Sequence, residues 1–223
     1  QNNTGSQNNL FGQYAGLNNT GSNNNLFGLS AGYNNTGSNN NLFGLSAGEN
    51  NTGAYNNLFG TYTGFNNTGS YNEMIGHQAG GLLQATATVA IGSQALQGNG
   101  YVGMDPNFQA INNTAIGYRA GFNADTGADN NILLGYQAAD NLTTGANNIA
   151  IGYDIELASN TADNQLNIGN LIFGTGIDGV GTTLSSGNIG IGTSSPYAKL
   201  SVDGDLALTG GIYDNTASLG TAG

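Results

Sequence analysis

The sequence has no cysteine, no tryptophan, only two prolines and only two strongly basic side chains, Arg119 and Lys199. Without cysteine, disulfides and thiolate metal sites are excluded. The formal net charge is -11, and no Lys/Arg cluster exists to bind nucleic-acid phosphates or an anionic membrane. No apolar run approaches the about 18 residues that a membrane span needs. We therefore expect no nucleic-acid partner and no membrane insertion.

Glycine and amide side chains dominate what is present. Gly accounts for 39 and Asn for 37 of the 223 residues, whereas charged residues are 7%. This composition favours turns and side-chain amide contacts over helices. Hydrophobic residues still make up 38% of the chain. Disordered chains have low hydrophobicity, so this fraction argues against disorder. The chain opens with Gln1 and carries no basic-then-apolar leader, so we expect a processed chain or a piece of a longer one.

A sixteen-residue repeat organises most of the chain. LNNTGSNNNLFGLSAG at 17–32 returns as YNNTGSNNNLFGLSAG at 33–48. A glycine after an apolar pair marks each of ten turns of the repeat, at Gly12, Gly28, Gly44, Gly60, Gly76, Gly92, Gly117, Gly135, Gly152 and Gly169. Helical repeats need about 33 or more residues. The period therefore predicts an all-β solenoid, or β-roll, whose coils of about 16 residues each hold two short strands and two tight turns.

Turn chemistry and alternation set further expectations for each coil. In NNTG, we expect Asn to adopt the left-handed region and Gly to supply a positive φ. Stacked coils turn each repeat position into a ladder of like residues, in which Asn amides can bond to one another. Adjacent apolar residues such as Leu26 and Phe27 must face opposite sides of a strand. One of the two rows therefore needs a partner surface, for which we favour a homotrimer with two further copies.

The residues of this core or trimer-interface ladder are predicted from the columns of the repeat. They are Leu26, Phe27, Leu42, Phe43, Ile75, Ile91, Ile116, Leu134, Ile151 and Ile168. The repeat covers residues 1–169, which we expect to form the solenoid shaft or head. Residues 170–223 lack the period and are predicted to form a non-repetitive, β-rich fibre segment.

Two resemblances carry expectations about function. VAIGSQA at 89–95, NNTAIGYRAG at 112–121 and NNIAIGYDI at 147–155 resemble the repeats in heads of YadA-like trimeric autotransporter adhesins. That resemblance implies three parallel β-rolls packed side by side. GNIGIGTSSPYAKLSVDGDLAL at 187–208 resembles a phage tail-fibre segment of the kind that precedes an endosialidase-type intramolecular chaperone. Together these resemblances imply a fibre located outside the cell, on a cell surface or on a virion.

Other chemistry is less favoured by the residue inventory. GTGIDG at 174–179 has the letters of a dinucleotide fingerprint, yet no helix pattern follows it. Asp125 with Asp129, or Asp203 with Asp205, offers oxygen ligands for calcium, but neither pair fits an EF-hand loop. His77 has no second His or Cys beside it. The three Glu residues lie far apart, whereas a glycosidase needs paired carboxyls. We expect no enzyme and no cofactor, with calcium as an alternative.

Variable positions in a rigid repeat are candidates for receptor contact. Many carry Tyr, whose ring offers stacking area and whose hydroxyl offers a hydrogen bond. A nine-residue insertion within 97–111 is a further candidate, because solenoid insertions form loops. The candidate contacts are Tyr14, Tyr33, Tyr62, Tyr101, Asp105, Phe108, Tyr118, Arg119, Tyr136 and Tyr153. These residues favour an adhesive fibre that binds a cell-surface glycan or protein. The alternatives are a purely structural spacer and, from the regular Thr4, Thr20, Thr36, Thr52 and Thr68, an ice- or crystal-binding surface.

Overall fold

The computed structural model describes residues 2–81, 84–98, 109–207 and 209, all of them strand, turn or irregular structure. Tyr101, Asp105 and Phe108, and with them most of the 97–111 insertion, lie outside the described residues. The strands are β1 Asn9–Phe11, β2 Asn25–Phe27, β3 Asn41–Phe43, β4 Asn57–Phe59, β5 Glu73–Ile75, β6 Val89–Ile91, β7 Thr114–Ile116, β8 Ile132–Leu134, β9 Ile149–Ile151, β10 Leu166–Ile168, β11 Ile172–Thr175, β12 Asn188–Ile191 and β13 Leu200–Val202.

All thirteen strands form one sheet in chain order. From β1 to β10 every neighbouring pair is parallel, and each residue lies opposite its counterpart one repeat later, as Leu26 lies opposite Leu42. The predicted all-β solenoid of coils of about 16 residues is therefore confirmed. After β10 the sheet continues differently, because β11 is antiparallel to both of its neighbours and β13 is again parallel to β12.

Each repeat contains one strand of three residues, so the prediction of two strands per coil is wrong. The reason is the number of corners. Asn18, Asn23 and Ser30 in the second repeat have φ values of 59°, 59° and 57°. A left-handed residue ends extended structure, and these three together with Gly32, at 62°, leave a single extended stretch, 25–27. Outside the strand, coils are joined by single bonds such as Thr20 N–H to Asn35 O, at 3.0 Å.

The glycine of NNTG has a different role from the predicted one. Asn18 adopts the left-handed region as expected, but Gly21 does not have a positive φ. A Cβ added to Gly21 would overlap the carbonyl oxygen of Gly37 in the next coil. Glycine is therefore required here because the coils approach closely, not because the turn needs a left-handed residue.

The core is a narrow column inside the coils. Leu26, Leu42 and Leu58 are fully buried, and each coil adds one small buried residue, such as Ala31 in the second repeat. Where the strand contributes a smaller side chain, another position compensates. Ala90 is accompanied by buried Leu96, which occupies the repeat position of Gly32. A column this thin buries one row of strand side chains and leaves the other row outside.

Candidate functional site

One row of apolar side chains runs along the outside of the sheet over all thirteen strands. Strand pairing places its members in register, and we call it the outward stripe: Phe11, Phe27, Phe43, Phe59, Ile75, Ile91, Ile116, Leu134, Ile151, Ile168, Ile172, Ile191 and Val202. None of these side chains is buried, and Phe11 is 74% exposed. Strands lie about 4.8 Å apart, so the stripe is nearly 60 Å long.

The predicted ladder residues divide between the two sides of the sheet. Leu26 and Leu42 lie inside the coil and are fully buried. The other predicted members lie in the outward stripe, namely Phe27, Phe43, Ile75, Ile91, Ile116, Leu134, Ile151 and Ile168. Ile172, Ile191 and Val202 extend the stripe and were missed, because they lie beyond the last repeat and the sequence gives no periodic signal there.

The first part of the stripe is an aromatic stack. Phe27 and Phe43 have ring centroids 4.8 Å apart at an interplanar angle of 3°, and Phe43 and Phe59 follow at 4.9 Å and 10°. Phe11 lies 6.1 Å from Phe27. Stacked rings cover one another's faces, so this part of the stripe presents ring edges to its surroundings.

In β1 to β10, a second outward column lies two residues before the stripe. In β1 to β4 it is an amide ladder, in which Asn9, Asn25 and Asn41 each donate from Nδ2 to the Oδ1 of the next Asn at 2.6–2.7 Å. Asn57 continues it to Glu73 Oε1. From β6 onward the column is mostly aliphatic and includes Val89, Ile132, Ile149 and Leu166. The outward face thus carries one amide column and one apolar column in the first four strands, and two mostly apolar columns from β6 onward.

Buried asparagines of a further column tie one coil to the next by bonding to its backbone, unlike the amide-to-amide ladder that was predicted. Asn24 accepts the backbone N–H of Asn40 through Oδ1 at 2.8 Å and donates from Nδ2 to Gly37 O at 3.0 Å. Asn40 and Asn56 repeat the arrangement one coil further on. Because the Oδ1 and Nδ2 groups of one side-chain amide bond to the same neighbouring coil, each side chain fixes the stacking distance and the register together.

The tyrosines proposed for receptor contact differ in what they offer. Tyr118, Tyr136 and Tyr153 form a stack with centroid separations of 5.3 and 5.0 Å. Tyr136 therefore has both ring faces covered, whereas Tyr153, which is 74% exposed, ends the stack. Tyr118 ends the stack on the other side and is 41% exposed, so Tyr153 is the more open of the two end rings.

The remaining candidates are scattered along the rod. Tyr14 is 49% exposed, and Tyr62 is 39% exposed and lies edge-on to Phe65 and His77. Tyr33 is half-buried. The Arg119 guanidinium lies 4.0 Å above the Phe122 ring, which fixes its direction. The structure does not gather these side chains into one pocket.

Sequence reasoning missed a further aromatic pair. Tyr55 and Tyr71 stack at 5.1 Å and are 52% and 64% exposed. They occupy the repeat position of Asn23, which is exposed and left-handed in the second repeat. Their spacing of sixteen residues was the signal that could have identified them.

Several acidic side chains in the described residues have structural partners. Asp129 Oδ1 accepts the backbone N–H of Ile111 at 2.8 Å, and Asp163 Oδ1 accepts that of Ala146 at 2.7 Å. Ser38 Oγ does the same for Ser22 at this repeat position. Among the described residues, no three His, Cys, Asp or Glu side chains are grouped so that they could hold a metal ion. Asp129 therefore serves the stacking of coils.

The GTGIDG segment consists of strand and turns. Gly174 and Thr175 belong to β11, and the residues after Gly179 form turns rather than a helix. Asp178 accepts two hydrogen bonds from Ser186, one from Oγ and one from the backbone N–H, both at 2.6 Å. These bonds, the side-chain one first, lower the pKa of the Asp178 carboxyl below its usual value. This arrangement closes a turn and lacks the helix terminus that holds a pyrophosphate.

Comparison with known proteins yields no relative for this chain, since it matches no protein-family model, no curated protein and no solved structure. None of the described residues belongs to a helix that would reach across a bilayer. Function is therefore argued from the outward stripe and the ladders beside it.

Proposed function

We propose that the chain is a structural and adhesive fibre segment, of the phage tail-fibre or bacterial surface-adhesin type, that acts as a rigid rod outside the cell. The single observation that carries this proposal is the outward stripe, which is continuous over all thirteen strands. An apolar row of this length is not expected to remain in water. The rod is completed when copies of the chain cover one another's stripes, and the proposed assembly is a homotrimer.

The stripe fits a copy of the same chain better than a foreign protein. Its rungs repeat about every 4.8 Å over nearly 60 Å, and a globular partner matches such a row at only a few points. The spacing of the marker glycines also changes along the chain, from 16 residues to 25, 18 and 17. A parallel copy carries the same irregularities at the same heights. The resemblance to trimeric adhesin heads supports three chains.

Rigidity follows from the ladders within each chain. Backbone bonds join successive coils along the described repeats, and many coils are also joined by buried asparagines or by stacked rings. In stacked repeats, such nearest-neighbour terms sum along the axis. The chain is therefore suited to hold an attachment surface away from the particle or cell that carries it.

We assign attachment to a surface glycan to the Tyr153 end of the tyrosine stack. Tyr153 offers a ring face, and exposed Asp154 beside it offers a hydrogen-bond acceptor. On a glycan array, Tyr153→Ala is expected to lose binding that Tyr153→Phe keeps, because stacking area remains in the second variant. Binding that is unchanged by Tyr153→Ala would remove the adhesive role from this position, and an array without any binding would leave a spacer.

Self-association is tested by placing a charge on the stripe. Phe43→Asp is expected to reduce the mass in solution to that of one chain, 22.5 kDa, because an unpaired carboxylate would be buried between copies. Thr36→Asp is the matched control, since Thr36 is exposed and lies away from the stripe. A Phe43→Asp chain that keeps the mass of the parent would contradict packing through this face.

A regular ice- or crystal-binding face is the second candidate function. Thr4, Thr20, Thr36, Thr52 and Thr68 are all exposed. Backbone bonds of 2.9–3.0 Å to the next coil fix the spacing of the first four. Thermal hysteresis in dilute solution, abolished by Thr36→Asp, would select this function. Ice growth at the ordinary freezing point would exclude it.

A further inference from the structure

The C-terminal segment, residues 170–207, has strands but almost no interior. Its buried positions are Gly174, Gly190, Pro196 and Ser201, so no large apolar side chain of this segment is buried. In contrast, Val180, Leu184 and Tyr197 are 78%, 90% and 92% exposed. Small β-structures need a packed hydrophobic face to be stable, because ordering each residue costs about 1–2 kcal/mol. The core that stabilises this segment must therefore come from outside one chain.

The first four coils specify their alignment with a copy poorly. Strands β1 to β4 all read NLF, so two chains displaced by one coil still place Phe opposite Phe at three of these four strands. Asn would also lie opposite Asn in the second outward column. The register of these coils must therefore be set by a part of the chain that does not repeat, because uniform repeats are prone to slip where the pattern is degenerate.

We propose that the C-terminal segment sets the register of the assembled fibre by forming a shared core with the same segment of other copies. Leu184, Tyr197 and Leu200 are its apolar contacts. The occupant is a copy of this chain because β11, β12 and β13 continue the sheet, and Ile172, Ile191 and Val202 continue the outward stripe in unbroken register. Copies that meet along the stripe therefore bring these segments to the same height. This inference rests on the proposed function.

The absence of cysteine gives a direct measure of register. One full-length variant carries only Asn25→Cys and a second carries only Asn41→Cys, both on the outward face beside the stripe. The two variants are mixed, assembled together and oxidised. Disulfides require Cα atoms within about 7 Å. An aligned assembly yields 25–25 and 41–41 disulfides, whereas displacement by one coil yields 25–41. Peptide mass spectrometry distinguishes them.

The same experiment is repeated with Leu184→Asp and Tyr197→Asp together. Both side chains are exposed in the single chain, so its own fold is expected to persist, which circular dichroism checks. The matched control is Thr182→Asp with Ser194→Asp, which adds the same charge at exposed polar positions of the segment. Leu184→Ala with Tyr197→Ala removes contacts without adding charge and is expected to show a smaller effect in the same direction.

The outcomes separate this inference from the proposed function. We expect parent and control to give only 25–25 and 41–41 disulfides, and the charged variant to dissociate or to gain at least a tenfold larger share of 25–41. An assembled variant with aligned disulfides overturns the register role and leaves the fibre intact. A parent chain that is a monomer, or that assembles without either aligned disulfide, overturns the proposed packing itself.

Discussion

At the scale of single residues, asparagine makes the coils stack. Asn40 donates to Gly53 O at 3.0 Å and accepts the N–H of Asn56 at 2.8 Å, and it is fully buried. A short side chain with one donor group and one acceptor group is needed, because both partners lie in the same neighbouring coil. In the last coil Gln165 occupies this position and bonds to Ala162 O of its own coil.

Replacing Asn40 by Ala is expected to destabilise the protein substantially. The change leaves the buried Asn56 N–H without its acceptor, which costs about 1–3 kcal/mol. It also removes one of the two amide donors to Gly53 O, because Asn51 Nδ2 still donates to that oxygen at 2.8 Å. Thr36→Ala in the same repeat is the control, since Thr36 is exposed. Urea unfolding at fixed protein concentration measures both changes. Equal midpoints for the two variants would mean that the ladder is not a source of stability.

Residue patterns predicted part of this arrangement. The alternation of Leu26 and Phe27 and the Asn ladders followed from periods of two and sixteen, which depend only on which side a residue faces. The role of Gly21 did not follow, because a glycine needed for close stacking and one needed for positive φ look the same in a sequence. Tyr136 was proposed as a contact because stacking between coils, which covers its faces, is not visible in composition.

At the scale of one element, the second and sixth coils fill their interiors in two different ways. In the second repeat Leu26 would contact any Cβ added at Gly32, whereas the sixth repeat has Ala90 in the strand and buried Leu96 in place of that glycine. The two arrangements exchange a large and a small residue between two positions. A coil therefore tolerates a large side chain at one of the two positions, but not at both.

This exchange predicts a coupled pair of mutations. Ala90→Leu alone should cost about 1–3 kcal/mol by overpacking. Leu96→Gly alone should cost about 2–5 kcal/mol through the lost side chain. The double variant restores the pattern of the second repeat and should cost clearly less than the sum. A double-mutant cycle of urea unfolding measures the coupling, and strictly additive losses would refute it.

The turn closed by Asp178 predicts a response to acid. Its pKa is lowered by the two Ser186 hydrogen bonds, so the charged form is favoured in the folded chain. Its stabilising effect is therefore complete above the usual Asp value of about 3.9 and is lost as pH falls through the lower folded value. We expect the Ser186 amide to lose protection over that acidic range, that is, to exchange closer to the rate of an unprotected amide at the same pH.

Asp178→Asn should remove this dependence on pH, while Asp205→Asn, at an exposed position of the same segment, should keep it. Amide exchange of Ser186 followed by NMR reports both. If the Ser186 amide exchanged at the same rate in the parent and in Asp178→Asn at every pH, the proposed effect of the Asp178 charge on this turn would be contradicted.

The elements were only partly foreseeable. Strand positions in the repeats coincide with the apolar residues before each marker glycine. The second strand expected in each coil is absent from the described residues, because four left-handed corners, as in the second repeat, interrupt the rest of the coil. Strands β11 to β13 extend the sheet with a change of direction. The sequence has no repeat in this segment that indicates such a change, so the continuation of the stripe could not be predicted from it.

At the scale of the whole molecule, the described chain buries only one of its two rows of strand side chains. Its interior holds one row of strand side chains, and its thirteen-strand outward stripe carries the other. Burying a side chain of this size contributes about 1.5–3 kcal/mol, so covering a row of this length favours association strongly. Because the contact is apolar, added salt should not dissociate it, in contrast to an assembly held by exposed ion pairs.

Multi-angle light scattering on the full-length chain decides whether copies cover one another along the outward stripe, as we propose. We expect a mass three times the 22.5 kDa of one chain, unchanged at high salt. A stable, folded species with the mass of a single chain would contradict it.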